Sequence, residues 1–143
     1  MTAMDNTNAQ QFVNRVGKTG GASMDAGSGK LLNPGKRGYM VGGEPDTAGN
    51  QIPPTSIPAD QFGPEHVTRA MNALHHATGG RSRVNLGAWN DGEGNVVLDA
   101  ASRVKRPGEA MRKGRNRNQK AVWDNKRMRE IDTGGNDKQG GTA

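Results

Sequence analysis

A chain of 143 residues has room for one domain, but only 31% of its side chains are hydrophobic and 3% aromatic, against 22 glycines. Ordering each residue costs ~1–2 kcal/mol of backbone entropy, so the whole length cannot be folded by burial; a core of about 70–75 residues with extended flanks is expected. The absence of cysteine excludes disulfides and thiolate metal sites, and the net charge of +6 favours an anionic partner.

Residues 1–38 read as a flexible arm. GKTGGASMDAGSGK is rich in Gly and Ser and has no periodicity. Within it Phe12, Val13 and Val16 have the spacing of one amphipathic helical turn. Gly17-Lys18-Thr19 resembles the end of a phosphate-binding loop, but the first glycine of that motif would fall on Phe12, and no strand precedes it. Residues 39–63 read as an extended connector. Tyr39-Met40-Val41 before Gly42-Gly43 suits a short edge strand. Pro45, Pro53, Pro54 and Pro58 each remove a backbone donor and disfavour helix at the residue before them. Ile52 and Ile57 are left as anchors onto the core.

The core is expected over residues 64–135. Pro64 suits the first turn of a helix, where its missing N–H is no loss, and Glu65 favours the positive end of the helix dipole. Val67, Ala70, Met71 and Leu74 then form one apolar stripe, and Thr78-Gly79-Gly80 stops the helix. Residues 84–89 and 96–99 flank Asp91-Gly92-Glu93-Gly94, the composition of a β-hairpin turn. Alternation separates Val84, Leu86 and Ala88 from Asn85, Gly87 and Trp89, with the buried face undecided and Val97 a candidate cross-strand neighbour of Trp89. Pro107 opens a second helix to about Asn118 whose thin apolar face, Ala110 and Met111, is followed by Gly114, suited to close approach to a sheet. Residues 121–123 and 128–131 form a second pair of strands around the Asp124-Asn125-Lys126 turn, and residues 136–143 are tail. The fold class is therefore α+β: a small antiparallel sheet of two hairpins with two helices and a long irregular N-terminal arm.

No catalytic constellation emerges. His75 and His76 are adjacent and diverge on a helix, and His66 is too far along the axis to share an ion with either. Asp91 and Glu93 are explained by turn chemistry, and Asp99 as a cap for a turn into residues 100–102. Ser102 and Thr133 have no base near them in sequence. No enzyme, no cofactor and no metal is expected. Basicity is the clearest signal: residues 103–129 hold eleven Lys and Arg against Glu109 and Asp124, a net of +9, so the rest of the chain is net negative. Arg103, Lys105, Arg106, Arg112, Lys113, Arg115, Arg117, Lys120 and Arg127 are the candidate contacts to nucleic acid or to an acidic protein. Asn116, Asn118 and Gln119 stand ready as neutral hydrogen-bonding neighbours. Stacking aromatics are scarce; only Trp123 is near.

Leu86, Gly87 and Trp89, then Val96, Leu98 and Asp99, then Ala110, then Asn118, Gln119, Ala121, Trp123 and Asp124, then Ile131, Thr133, Gly134 and Gly135 make a pattern. It resembles one found in small proteins encoded by bacteriophages of actinobacteria. The resemblance covers about residues 84–135 and implies a phage origin, with the host cytoplasm or the virion as location. It carries no assigned chemistry. The expected role is a virion or assembly component without catalytic activity, whose arms order against other phage or host subunits. The alternative is a basic accessory protein binding nucleic acid in packaging, replication or host takeover. No membrane partner is expected, because no apolar run approaches the ~20 residues of a span and the N-terminus lacks the apolar stretch of a signal peptide.

Overall fold

The computed structural model describes residues 6–134. The elements run α1 (Asn6–Thr19), β1 (Gly21–Asp25), β2 (Tyr39–Gly42), β3 (Thr55–Pro58), α2 (Pro64–Thr78), β4 (Val84–Asn90), β5 (Asn95–Val104), α3 (Pro107–Asn116), β6 (Ala121–Asp124) and β7 (Arg129–Asp132).

The ten-residue β5 is the spine of one antiparallel sheet. One edge pairs with β4 from Asn90↔Val96 to Val84↔Ser102. The other edge is shared end to end, by β3 opposite residues 95–98 and by β2 opposite residues 101–104. β1 lies beyond β4, and β6 and β7 lie beyond β2, giving the order β1-β4-β5-β2-β6-β7.

Alternation along the strands settles which face is covered. Val84, Leu86 and Ala88 of β4 and Val96, Leu98 and Ala100 of β5 are buried with Ala9, Phe12 and Val16 of α1 and Val67, Met71 and Leu74 of α2. A second cluster joins Val41, Val104 and Val122 to Ala110 of α3. Val41 pairs with Ser102, so both clusters lie on the same side of the sheet. The three helices pack there, and the opposite face carries no helix among the described residues. That face bears half-buried Trp89, Val97, Asp99 and Trp123, and between them Met40, Asn85 and Ala101 are buried without a helix.

Local chemistry explains the helix limits. α2 begins at Pro64 and ends where Gly79 turns left-handed at φ 63. The N–H groups of Gly79 and Gly80 then donate to the carbonyls of His76 and His75. At its start, the Gly63 N–H donates to His66 Nδ1 at 3.1 Å, a capping role and not a metal-binding one. Gly114 lets α3 sit close to the sheet: a Cβ there would stand 2.9 Å from Val122 Cγ1 and 3.0 Å from Thr133 Cγ2.

The fold is α+β, as the order of elements implied, but larger than two hairpins and two helices. Three helices and seven strands are present among the described residues. Within the expected arm, residues 6–38 hold α1 and β1 instead of irregular chain. Phe12 and Met24 are fully buried, because the stripe Ala9, Phe12, Val16 finds its apolar partner in α2 and β4. The connector supplies β2 and β3. Ser102 does not follow a turn, since β5 runs straight on past Asp99, whose Oδ1 accepts from the Ala100 N–H at 2.9 Å. Gly135 and the expected tail, 136–143, lie outside the described residues. No helix of the described residues is long and apolar enough to cross a membrane.

Candidate nucleic-acid interface

Strand register brings three distant segments to one end of the sheet. Tyr39 pairs with both Val104 and Asp124, so the start of β2 lies beside the ends of β5 and β6. At that end residues 33–38 lead into β2, residues 105–106 lead from β5 into α3, and residues 125–128 turn β6 into β7. These segments carry Lys36 and Arg37, Lys105 and Arg106, and Lys126, Arg127 and, beginning β7, Arg129. All seven side chains are exposed. On a sheet with strands ~4.8 Å apart, the four strand ends from β5 to β7 span about 14 Å.

The platform is pinned. Asn125, only 6% exposed, donates from Nδ2 to the carbonyls of Asn33 at 3.0 Å and Lys36 at 2.8 Å. Its own N–H donates to the Gly38 carbonyl, and its carbonyl accepts from the Gly35 N–H. One asparagine thus fastens the Lys36–Arg37 turn to the β6–β7 hairpin. Asp124 holds the hairpin tip from inside, accepting from the N–H groups of Lys126 and Arg127 and from Arg127 Nη1 at 3.0 Å. Burial pushes the Asp124 carboxyl up, but the bonds from Arg127 and the Lys126 N–H outweigh it and hold the group below the usual carboxylate range. The Arg127 side chain remains 58% exposed while making this pair.

The structure distributes the residues expected from sequence. Lys105, Arg106 and Arg127 belong to this end. Arg103 lies just behind it on the uncovered face, 4.0 Å from Asp25. Arg112 is exposed and Lys113 half-buried on α3. Arg115 is exposed, with Nε donating to the Thr133 carbonyl at 2.9 Å. Lys120 is exposed at the other end of the sheet, just ahead of β6.

Arg117 is not available to a partner. It is drawn into a buried network between α2 and α3. Nη1 donates to the carbonyls of Val41 and Gly42, Nη2 donates to Ser102 Oγ at 2.9 Å, and Nη1 lies 3.6 Å from Glu44 Oε1. Glu44, 2% exposed, also accepts from the Ser102 hydroxyl and from Arg81 Nη2 at 2.6 Å. Burial lowers the Arg117 pKa and the Glu44 carboxylate raises it. A buried carboxylate of this kind needs its cations, so Arg117 serves the fold.

Lys36 and Arg37 were missed by the sequence reading, being remote in sequence from the basic run. The signal was the turn Pro34-Gly35 followed by two cations and then a strand. Lys126 and Arg129 were within the basic run but not singled out.

The other candidate groups do not assemble. Asp91 Oδ1 accepts from the N–H groups of Glu93 at 2.7 Å and Asn95 at 3.1 Å, an Asx turn. Asp99 lies in mid-strand. No group of three or more His, Asp or Glu among the described residues is arranged to hold a metal ion. The chain matches no family model, no curated protein and no solved structure in comparisons with known proteins.

Proposed function

We propose that the protein is a nucleic-acid-binding accessory protein, engaging the phosphate backbone through the cationic sheet end, with no chemistry carried out at that surface. One observation carries the reading. Seven exposed cations from three chain-distant segments converge on a single end of the sheet, two of the segments being fastened together by Asn125. Cations that neutralise phosphates release condensed counterions on binding, which gives affinity without sequence readout. With the phage origin that the resemblance implies, the setting of such binding is packaging, replication or host takeover.

The expectation of a virion or assembly component drew on extended arms. Over residues 6–38 that support is withdrawn, because α1 and β1 complete the core. It stands as a second reading on a different observation: the helix-free sheet face carries half-buried Trp89 paired with Val97 at one end, an apolar pair suited to another protein subunit.

Retention of the full chain on duplex DNA, measured against salt, tests the first reading. Each phosphate contact contributes ~0.9 to the slope of log K against log salt. Replacing Lys36 and Arg37 together by alanine is expected to reduce that slope by about 2, while Lys120→Ala, at the opposite end, leaves it nearly unchanged. Equal effects at the two ends, or no binding at low salt, refutes it.

A further inference from the structure

We propose that Met128 is an apolar wedge, carried by the β6–β7 hairpin tip into the minor groove of double-stranded DNA and seated there between neighbouring base pairs. The proposal rests on the nucleic-acid reading above and adds to it a mode of engagement.

Met128 joins an exposed apolar side chain to an uncommon backbone conformation. At 48% exposure it is the one large hydrophobic side chain left exposed among the described residues. One exposed apolar side chain is ordinary on a protein surface; what marks this one is its backbone and its place in the turn. Its backbone is left-handed, at φ 55. Hairpin turns that need such a conformation ordinarily place glycine or asparagine there, because a Cβ is crowded in it. Arg83 and Asn118 share positive φ, but both are polar and asparagine tolerates the region well. The Met128 side chain joins neither apolar cluster. The fold therefore gains nothing visible from a methionine at this place, and unsupported strain of this kind points to function.

The surroundings say which function. Met128 stands among Lys126, Arg127 and Arg129, and the Asp124 and Asn125 bonds already described hold the turn in one shape. A rigid tip meets its target without an ordering cost. The turn presents Lys126, Arg127 and Met128 together, so the cations fall toward phosphates while the one apolar side chain is offered to the base steps. Apolar side chains inserted at base steps from the minor groove unstack them and bend the duplex. A-form RNA offers a wide, shallow minor groove that proteins read through its 2′-hydroxyls and phosphates, not by an apolar wedge. A lipid surface is the other anionic target, but one methionine buries too little apolar area to anchor a protein there.

The test uses the full chain with a short DNA duplex carrying a fluorescent donor and acceptor at its ends, and a second duplex containing one mismatch. Binding is expected to shorten the end-to-end distance and to be several-fold tighter on the mismatched duplex, whose step is already easy to unstack. Met128→Gly suits the left-handed turn, so its melting temperature is expected to be no lower than that of the parent. It should lose both the bending and the mismatch preference while keeping the salt slope; Met128→Leu should retain both.

Parent protein that binds duplex without bending or preference overturns the wedge and leaves the nucleic-acid reading standing. So does Met128→Gly that bends as the parent does. No duplex binding at low salt overturns both. Retention on phosphatidylserine vesicles that is lost in Met128→Gly, with DNA behaviour unchanged, assigns the tip to a membrane and overturns the wedge.

Discussion

Asp99→Asn is expected to stabilise the protein at neutral pH and to do nothing in acid. Asp99 sits on the uncovered face where the outer edge of β5 passes from β2 to β3. Its Oδ1 accepts from the Ala100 N–H. Across from it stands another acceptor. A Cβ built on Gly42 would lie 3.1 Å from Asp99 Oδ2 and 2.8 Å from Gln119 Oε1, and Gln119 Oε1 is buried without a donor. Burial pushes the Asp99 carboxyl from 3.8 up to about 6, and the Ala100 N–H pulls it back only partly. Between those two values the folded protein binds the proton and the unfolded chain does not, so stability falls as pH rises through this window and levels off above about pH 6. At ~1.4 kcal/mol per pH unit, the gap amounts to about 3 kcal/mol of strain from the ionised carboxylate. Asparagine keeps an acceptor for Ala100, carries no charge, and offers a donor on the side of Gln119. Urea melts across the range from about pH 4 to about pH 8 should show the variant matching the parent in acid and exceeding it by about 1–3 kcal/mol above about pH 6. A variant no more stable than the parent at the alkaline end refutes the reasoning.

Two further substitutions probe the fold. Phe12→Ala empties a fully buried site between α1 and the sheet and should cost ~3–5 kcal/mol by chemical denaturation. A change near zero would mean that the N-terminal helix is not part of the core. Arg117→Met leaves Glu44 buried with Arg81 as its remaining cation and should cost ~3 kcal/mol. Its salt slope on DNA should match that of the parent, and a reduced slope would return Arg117 to the binding surface.

What could be read from the sequence was what is local. The stripe of α2, the Asp91 turn, the Trp89–Val97 pairing and the close approach at Gly114 each depend on residues a few positions apart or on one hairpin. α1 had its local sign too, in Phe12, Val13 and Val16. The glycines and serines beside it masked the partner, because β1 pairs with β4 and α1 packs on α2, both far along the chain. Arg112, Arg115 and Arg117 look alike in RKGRNRNQK. Only Glu44, remote in the chain but 3.6 Å away in the fold, separates the arginine that is turned inward from those that stay outside. The cationic end escaped for the same reason: the Lys36–Arg37 turn reaches the basic hairpin through Asn125, and nothing in either stretch announces the other.

The late position of β5 in the chain bears on biogenesis. β1, β2 and β3 all leave the ribosome before either of the strands, β4 and β5, that they pair with. The first half of the nascent polypeptide thus has no sheet to join, and β1, β2 and β3 wait for partners until the spine is synthesised. Such high contact order slows folding, because loop-closure entropy is lost before distant pairings compensate for it. Splitting the chain at the loop before β4 would separate every one of these strands from its partner, so the two pieces should be unable to fold alone and should recover structure only when mixed.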